Sequence, residues 1–176
     1  MTTTDSTTDS TSAAADSYAA YIASLPRVLA GSAALFRDAS GRILLLEPNY
    51  REGWALPGGT IESDEGETPR AAARRETAEE IGLDVPIGRL LVVDWSLDVG
   101  RPPFVSYVYD GGVLDEAQLA AIELQEAELL SWKLVEPAEV GAYLPAWLQS
   151  RVEEAHRVLE SGAGTAELEN GRPALA

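Results

Sequence analysis

A chain of 176 residues with 45% apolar content has the length for one domain with a sizeable core and a tail. It contains no cysteine, which excludes disulfides, thiolate catalysis and cysteine-ligated zinc or iron–sulfur sites, and suits a reducing, cytoplasmic setting. A net charge of −16 with a single lysine, Lys133, argues against nucleic acid as a partner, because non-specific binding needs Lys and Arg to displace counterions from phosphates.

The opening MTTTDSTTDSTS has neither a basic patch nor an apolar run, so no secretory signal is read there. No stretch approaches the roughly 20 apolar residues that span a bilayer, so no membrane partner is expected. Residues 1–15 are Thr, Ser, Asp and Ala, a composition expected to be disordered. A short helix with Tyr18, Tyr21 and Ile22 on one side is expected to end before Pro26. Val28 to Phe36 is an apolar run of strand length, and the turn chemistry of Asp38-Ala39-Ser40-Gly41 joins it to Ile43–Leu46 as a hairpin. Trp54-Ala55-Leu56 reads as a short extended piece stopped by Pro57-Gly58-Gly59.

Residues 68–82 lack interior glycine or proline and are rich in Ala, Arg and Glu, which predicts a helix. Thr68 or Glu67 suits its cap, Pro69 its first turn and Gly82 its end. Leu90–Val93 and Phe104–Tyr109 read as buried strands joined across residues 98–103, followed by a helical piece near Glu116–Leu124 and a strand at Leu129–Val135. Leu144, Trp147, Leu148, Val152, Ala155 and Leu159 recur at helical spacing, which predicts a helix over 144–159 with Trp147 on its packed face. The domain is expected to span 16–162, with 163–176 as a C-terminal extension. Strands and helices mix without strict βαβ alternation, so the fold class is α+β, and no G-x-G-x-x-G fingerprint is present.

Between Glu62 and Glu80, seven acids face three arginines, Arg70, Arg74 and Arg75. At about 100° per residue, Glu76, Glu79 and Glu80 fall on one helical face. Like charges at such spacing repel, so the face calls for a cation, and hard carboxylate oxygens suit Mg²⁺ or Mn²⁺. Such an ion neutralises charge on a pyrophosphate and lowers the pKa of an attacking water, whose proton a remaining glutamate accepts. The plainer reading is a solvated helix laced by salt bridges, since Arg75 and Glu79 are four apart. The lone histidine, His156, is expected on the surface of the late helix. Trp54, Trp95 and Trp132 suit packing better than base stacking, whereas Tyr50 and Arg51 suit either a substrate contact or an exposed turn.

This stretch resembles the signature of the Nudix hydrolases. Glu67, seven residues, Arg75-Glu76, Glu79-Glu80 and Gly82-Leu83 match that pattern position by position, and Trp54-Ala55-Leu56-Pro57-Gly58-Gly59 resembles its lead-in. The resemblance implies a Nudix-like α/β/α sandwich with a mixed central sheet. It implies Glu76, Glu79 and Glu80 as metal ligands, with Gly59 adding its carbonyl, and Mg²⁺ as cofactor with Mn²⁺ as a substitute. It further implies that Glu67 pairs with Arg75 and that the base is one of the helix glutamates or a later acid. Glu123, Glu126 and Glu128 are the candidates for that acid, Glu128 being placed most like the family's. Two departures stand out: seven residues separate Gly59 from Glu67 where the family has five, which bears on Gly59, and Thr77 takes an aliphatic place.

The function implied is divalent-metal-dependent cleavage of a phosphoanhydride bond in a nucleoside diphosphate linked to another moiety. The alternatives are a Nudix-fold sensor that binds nucleotide without turnover and a non-catalytic acidic interaction protein. The three helix glutamates favour the enzyme. Markers of dinucleoside polyphosphate, ADP-ribose, coenzyme A and reduced-NAD substrates are not seen outside the signature, which leaves nucleoside triphosphates, modified nucleotides and nucleotide sugars by elimination. Dimers are common in the family, so a homodimer is an open expectation.

Overall fold

The computed structural model describes residues 7–97, 100 and 102–174. Residues 1–6 of the segment expected to be disordered, and 98, 99 and 101 of the expected connection, lie outside the described residues. The rest of that first segment differs from expectation: helix α1 runs Thr7–Ser24. Its sequence holds no glycine or proline and six alanines, so local propensity favours helix once the Thr/Ser run is passed.

A mixed sheet follows, built from β1 (Leu29–Arg37), β2 (Ile43–Pro48), β3 (Gly58–Thr60), β4 (Leu90–Ser96), β5 (Phe104–Val113), β6 (Leu129–Val135), β7 (Ala166–Glu169) and β8 (Arg172–Pro173). Its order is β6-β2-β1-β5-β4-β7-β8, with β3 also paired to β1. β1 runs parallel to β5 along its whole length, while β2 and β3 both pair antiparallel with it. The β1–β2 turn is held by Asp38, whose carboxylate accepts hydrogen bonds from the Ser40 and Arg42 amides. Burial pushes the Asp38 carboxyl up, but those bonds and the charge of Arg42 outweigh it and hold it at about 2.

Helices cover both faces: α2 (Pro69–Ile81) and the short α3 (Glu116–Ala120) on one, α4 (Ala146–Ser161) on the other. Side chains alternate across a strand, so β1 and β2 feed two cores. Ala34, Phe36, Leu44 and Leu46 pack with Ile81 of α2, whereas Leu35, Ile43 and Leu45 pack with Leu148, Val152 and Ala155 of α4. Each fully buried leucine in that run contributes about 1.5–3 kcal/mol relative to an exposed one. The result is the expected α/β/α sandwich. Among the described residues no helix is long and apolar enough to cross a membrane.

Three further differences have physical causes. The extended piece at 54–56 is held by a bridge from Ala55 to Leu46 and bends at Pro57, but the glycines that follow begin β3, because a Cβ on Gly58 would lie 2.5 Å from the Ala33 Cα. Glycine is what lets β3 close on β1. The piece expected at Glu116–Leu124 is helical only over Glu116–Ala120: the capping box of Asp115 and Gln118 opens it, and it ends in a turn at Ala121. Residues 163–174 of the expected extension join the sheet, where β7 pairs parallel with β4 and Leu168 is buried in the α4-side core; 175 and 176 lie outside the described residues. The Asn170–Gly171 turn has φ of 52° and 74°, the left-handed pair that a two-residue hairpin demands.

Candidate active site

The local rules of helix formation position the acids. The Thr68 hydroxyl caps α2 by accepting the Ala71 amide, Pro69 occupies the first turn, and Gly82 ends the helix at φ 72°. Ala72, Ala73, Thr77 and Ile81 form the buried face of α2. Thr77 stands in an aliphatic place without cost in unpaired polarity, since its hydroxyl donates to the Ala73 carbonyl at 2.6 Å. With that face turned inward, Glu76, Glu79 and Glu80 border one cavity of about 470 Å³ together with Gly58, Gly59 and Glu128.

Arg75 organises the entrance. Its Nε donates to Glu67 Oε1 at 2.9 Å, and Nη2 donates to Glu67 Oε2 at 3.1 Å and the Thr60 carbonyl at 3.0 Å. Nη1 donates to Glu76 Oε1 at 2.9 Å and Glu79 Oε2 at 3.0 Å. The expected Glu67–Arg75 pair is therefore formed in bidentate geometry. The longer loop is taken up by a 3₁₀ turn at Ser63–Glu65 closed by Gly66 at φ 78°, which returns Glu67 to Arg75. The Arg75 hydrogen bonds hold the Glu67 carboxyl below its usual range against burial, and Glu67 in turn raises Arg75.

The inner acids behave differently. Glu80 is 6% exposed and accepts the Gly58 amide at 2.7 Å. Burial pushes its carboxyl up to about 8; the Gly58 hydrogen bond opposes this, and the charges of Glu76, Glu128 and Glu79 reinforce it. Glu76 is raised as well, first by burial, against the pull of Arg75 and with Glu79 and Glu128 adding repulsion. Its carboxylate lies so close over the backbone that a Cβ on Gly59 would be 2.4 Å from Oε1. Gly59 is thus brought against the acids despite the longer loop.

Sequence reasoning expected the three helix glutamates to form a ligand set. They share a cavity, but among the described residues no three acidic groups converge as a metal cluster. The reason lies in their partners: Arg75 holds Glu76 and Glu79, while Glu80 turns to Gly58. The donor chemistry nonetheless fits a hard divalent cation, with five carboxylates (Glu62, Glu76, Glu79, Glu80 and Glu128) bordering one cavity over a glycine backbone and two acids raised by burial and by repulsion from neighbouring acids. Glu128 is brought to the cavity; Glu123 and Glu126 do not line it. Tyr50 and Gln125 do, and only Tyr50 carried a signal, its place in the loop before Trp54.

A second cavity of about 230 Å³ lies beyond β3 and shares Gly58, Gly59 and Thr60 with the first. Its walls include Ser32, Arg51, Phe104, Trp147 and Arg151. Ser32 is 4% exposed, and its Oγ is buried without a hydrogen-bond partner among the described residues. Trp147 departs from its expected packed position: it is 52% exposed, with the guanidinium groups of Arg51 and Arg151 5.7 and 5.1 Å from its ring. The buried face of α4 instead takes in Arg151, whose partner Asp94 lies on β4. Trp54 packs edge-on to Tyr143 and Trp132 packs on the α2-side core, as expected, while Trp95 is 40% exposed. His156 is half-buried beside Val140 and Val152 rather than on the surface, and lines neither cavity.

A family model described as the NUDIX domain matches residues 27–157. Among solved structures, the MutT protein from Methanosarcina mazei Go1 is similar at 24% identity and TM-score 0.63, over 77% of this chain and 97% of that one. The NUDIX domain of Shewanella oneidensis NrtR complexed with ADP ribose is similar at 20% identity and TM-score 0.63, over 81% and 97%. A C. elegans Ap4A hydrolase matches at 21% identity and TM-score 0.57, over 76% and 98%. At such identities the likeness shows the fold alone. No curated protein matches the chain.

Proposed function

Because the chain belongs to the Nudix hydrolase family, we propose that it hydrolyses a phosphoanhydride bond in a nucleoside diphosphate linked to another moiety, with Mg²⁺ or Mn²⁺ as cofactor. The observation that carries this reading is the cavity over α2, where Glu76, Glu79, Glu80 and Glu128 meet with Arg75 as the cationic partner. Glu76, Glu79 and Glu80, with the Gly59 carbonyl, would hold the ion. When bound, it supplies charge neutralisation on the diphosphate and a more acidic water. Glu128 or one of the helix glutamates accepts the water's proton at a carboxylate oxygen. Arg75 and Glu67 tie the loop to the helix and keep the acids in register. The smaller cavity, walled by Trp147 and Phe104 and opening along the same strand, suits the nucleoside part. The similar folds of an Ap4A hydrolase, a UDP-X diphosphatase and a NUDIX domain in complex with ADP ribose support a nucleotide derivative as substrate.

One observation favours a second reading, a nucleotide-binding domain without turnover: Arg75 already engages two of the three helix glutamates. A phosphate-release screen over nucleoside triphosphates, modified nucleotides and nucleotide sugars, with Mg²⁺ or Mn²⁺, separates the two. The hydrolase reading predicts turnover that EDTA abolishes and Glu80→Gln lacks. Equal turnover by the variant would overturn the metal assignment, and tight nucleotide binding without turnover would establish the second reading.

A further inference from the structure

The C-terminal strand pair lies beyond the matched domain, which stops at residue 157, yet it reaches the wall of the smaller cavity through a chain of hydrogen bonds. Gly171, in the β7–β8 turn, donates its amide to Asp94 Oδ1 at 3.0 Å. Asp94 is fully buried, and its Oδ2 accepts Arg151 Nε at 2.5 Å and the Ser96 hydroxyl at 3.1 Å. Arg151 Nη2 donates to Ser96 Oγ at 2.6 Å. The guanidinium, itself 5% exposed, lines the cavity and lies 5.1 Å from the Trp147 ring centroid. An ion pair this buried has lost its hydration and keeps its geometry only while every remaining lone pair and proton is satisfied. The Gly171 amide supplies one of those bonds, from a turn that the Asn170 amide also ties to the Trp95 carbonyl at 2.9 Å.

We propose that Asp94 and the Asn170–Gly171 turn are positioning residues for substrate binding: they fix Arg151 against Trp147 as one wall of the smaller cavity, so that affinity for the nucleoside moiety depends on the C-terminal strand pair. This rests on the reading that the smaller cavity takes the nucleoside and the larger one the diphosphate. A guanidinium held in place beside a half-exposed indole presents a stacking surface and a fixed donor to a planar, acceptor-bearing base. Released from Asp94, the same side chain has many rotamers and presents neither.

Calorimetric titration of the full-length protein with α,β-methylene-ADP, and separately with methylenediphosphonate, both with Mg²⁺ present, reads the two cavities apart. Asp94→Asn removes the charge that holds Arg151. Gly171→Ala provides a milder route, because its φ of 74° and a Cβ 3.1 Å from Ser150 Cβ force the turn to shift. Each variant is expected to bind the nucleotide analogue roughly tenfold more weakly, the loss of about one hydrogen-bonded contact, while binding methylenediphosphonate as the wild type does. Quenching of Trp147 fluorescence by the analogue, assigned with Trp147→Phe, should weaken in parallel. Unchanged nucleotide affinity in both variants would overturn the proposal, as would equal weakening of both ligands or a wild type that binds only the diphosphonate. A protein that binds nucleotide in this Asp94-dependent way but turns over nothing would leave the positioning role standing and remove the hydrolase reading.

Discussion

The two cavities share a floor in β3, yet they are held together by opposite means. The larger one draws its acids from a single helix, a flanking loop and Glu128, and its character is electrostatic: Arg75 pinned by Glu67, and Glu76 and Glu80 raised by burial and by the neighbouring acids. The smaller one is assembled from β1, the 51–56 loop, β5 and α4, and its buried cation, Arg151, is held by an ion pair with β4 inside the core, with Arg51 a second cation in its wall. A site concentrated on one helix is sensitive to changes in its own charges and tolerant of distant ones. A site gathered from distant stretches inherits the stability of the fold around it.

That contrast is broken most directly by Glu80→Gln. Loss of a metal-binding or proton-accepting carboxylate is expected to lower kcat by about a thousandfold, while the protein stays folded by circular dichroism. A change of less than tenfold would move the chemistry off α2. The matching test for the other region is Leu168→Ala, a buried truncation in β7 expected to cost about 2–5 kcal/mol in urea unfolding. A cost below about 0.5 kcal/mol, the level of an ordinary surface change, would show that the strand pair is peripheral to the core.

How far each region is legible in the sequence follows the same division. Glu67, Arg75, Glu76, Glu79 and Glu80 lie within fifteen positions, so helical geometry alone brings the last three together and the loop need only return Glu67. Even there the sequence did not show that Arg75 would take Glu76 and Glu79, because spacing says which side chains share a face and not which oxygen finds which donor. Arg151 and Trp147 illustrate the limit. Apolar periodicity put Trp147 inward, but the actual rotation of α4 buries Arg151, paid for by an aspartate 57 positions away that no local pattern announces. The C-terminal hairpin did carry a signal, Asn170-Gly171 flanked by Leu168 and Pro173, and its short strands made it easy to take for an extension.

A smaller effect sharpens the role of Arg75. Arg75→Lys keeps one charge but loses the bidentate grip on Glu67, so activity should fall roughly tenfold to a hundredfold, as for groups that orient metal ligands. Steady-state kinetics at saturating Mg²⁺ check this; full activity would reduce the Glu67–Arg75 pair to ornament. A last effect is a pH slope. The Glu80 carboxyl sits at about 8 in the folded protein against an ordinary 4.5. The folded state therefore holds the proton more tightly, so this contribution to stability is complete below about 4.5 and is lost as the pH rises through about 8. In EDTA, the Tm of the wild type should fall relative to Glu80→Gln across that window, and Mg²⁺ should restore it most at the alkaline end. Parallel curves for the two proteins would contradict the assignment.

The most direct test of the acidic cavity as a metal site is Mn²⁺ binding followed by the electron paramagnetic resonance of the free ion. Wild-type protein should remove that signal and release it when Mg²⁺ is added, and Glu76→Gln or Glu80→Gln should weaken binding by roughly tenfold or more. Mn²⁺ bound equally well by both variants, or not bound by the wild type, would contradict it.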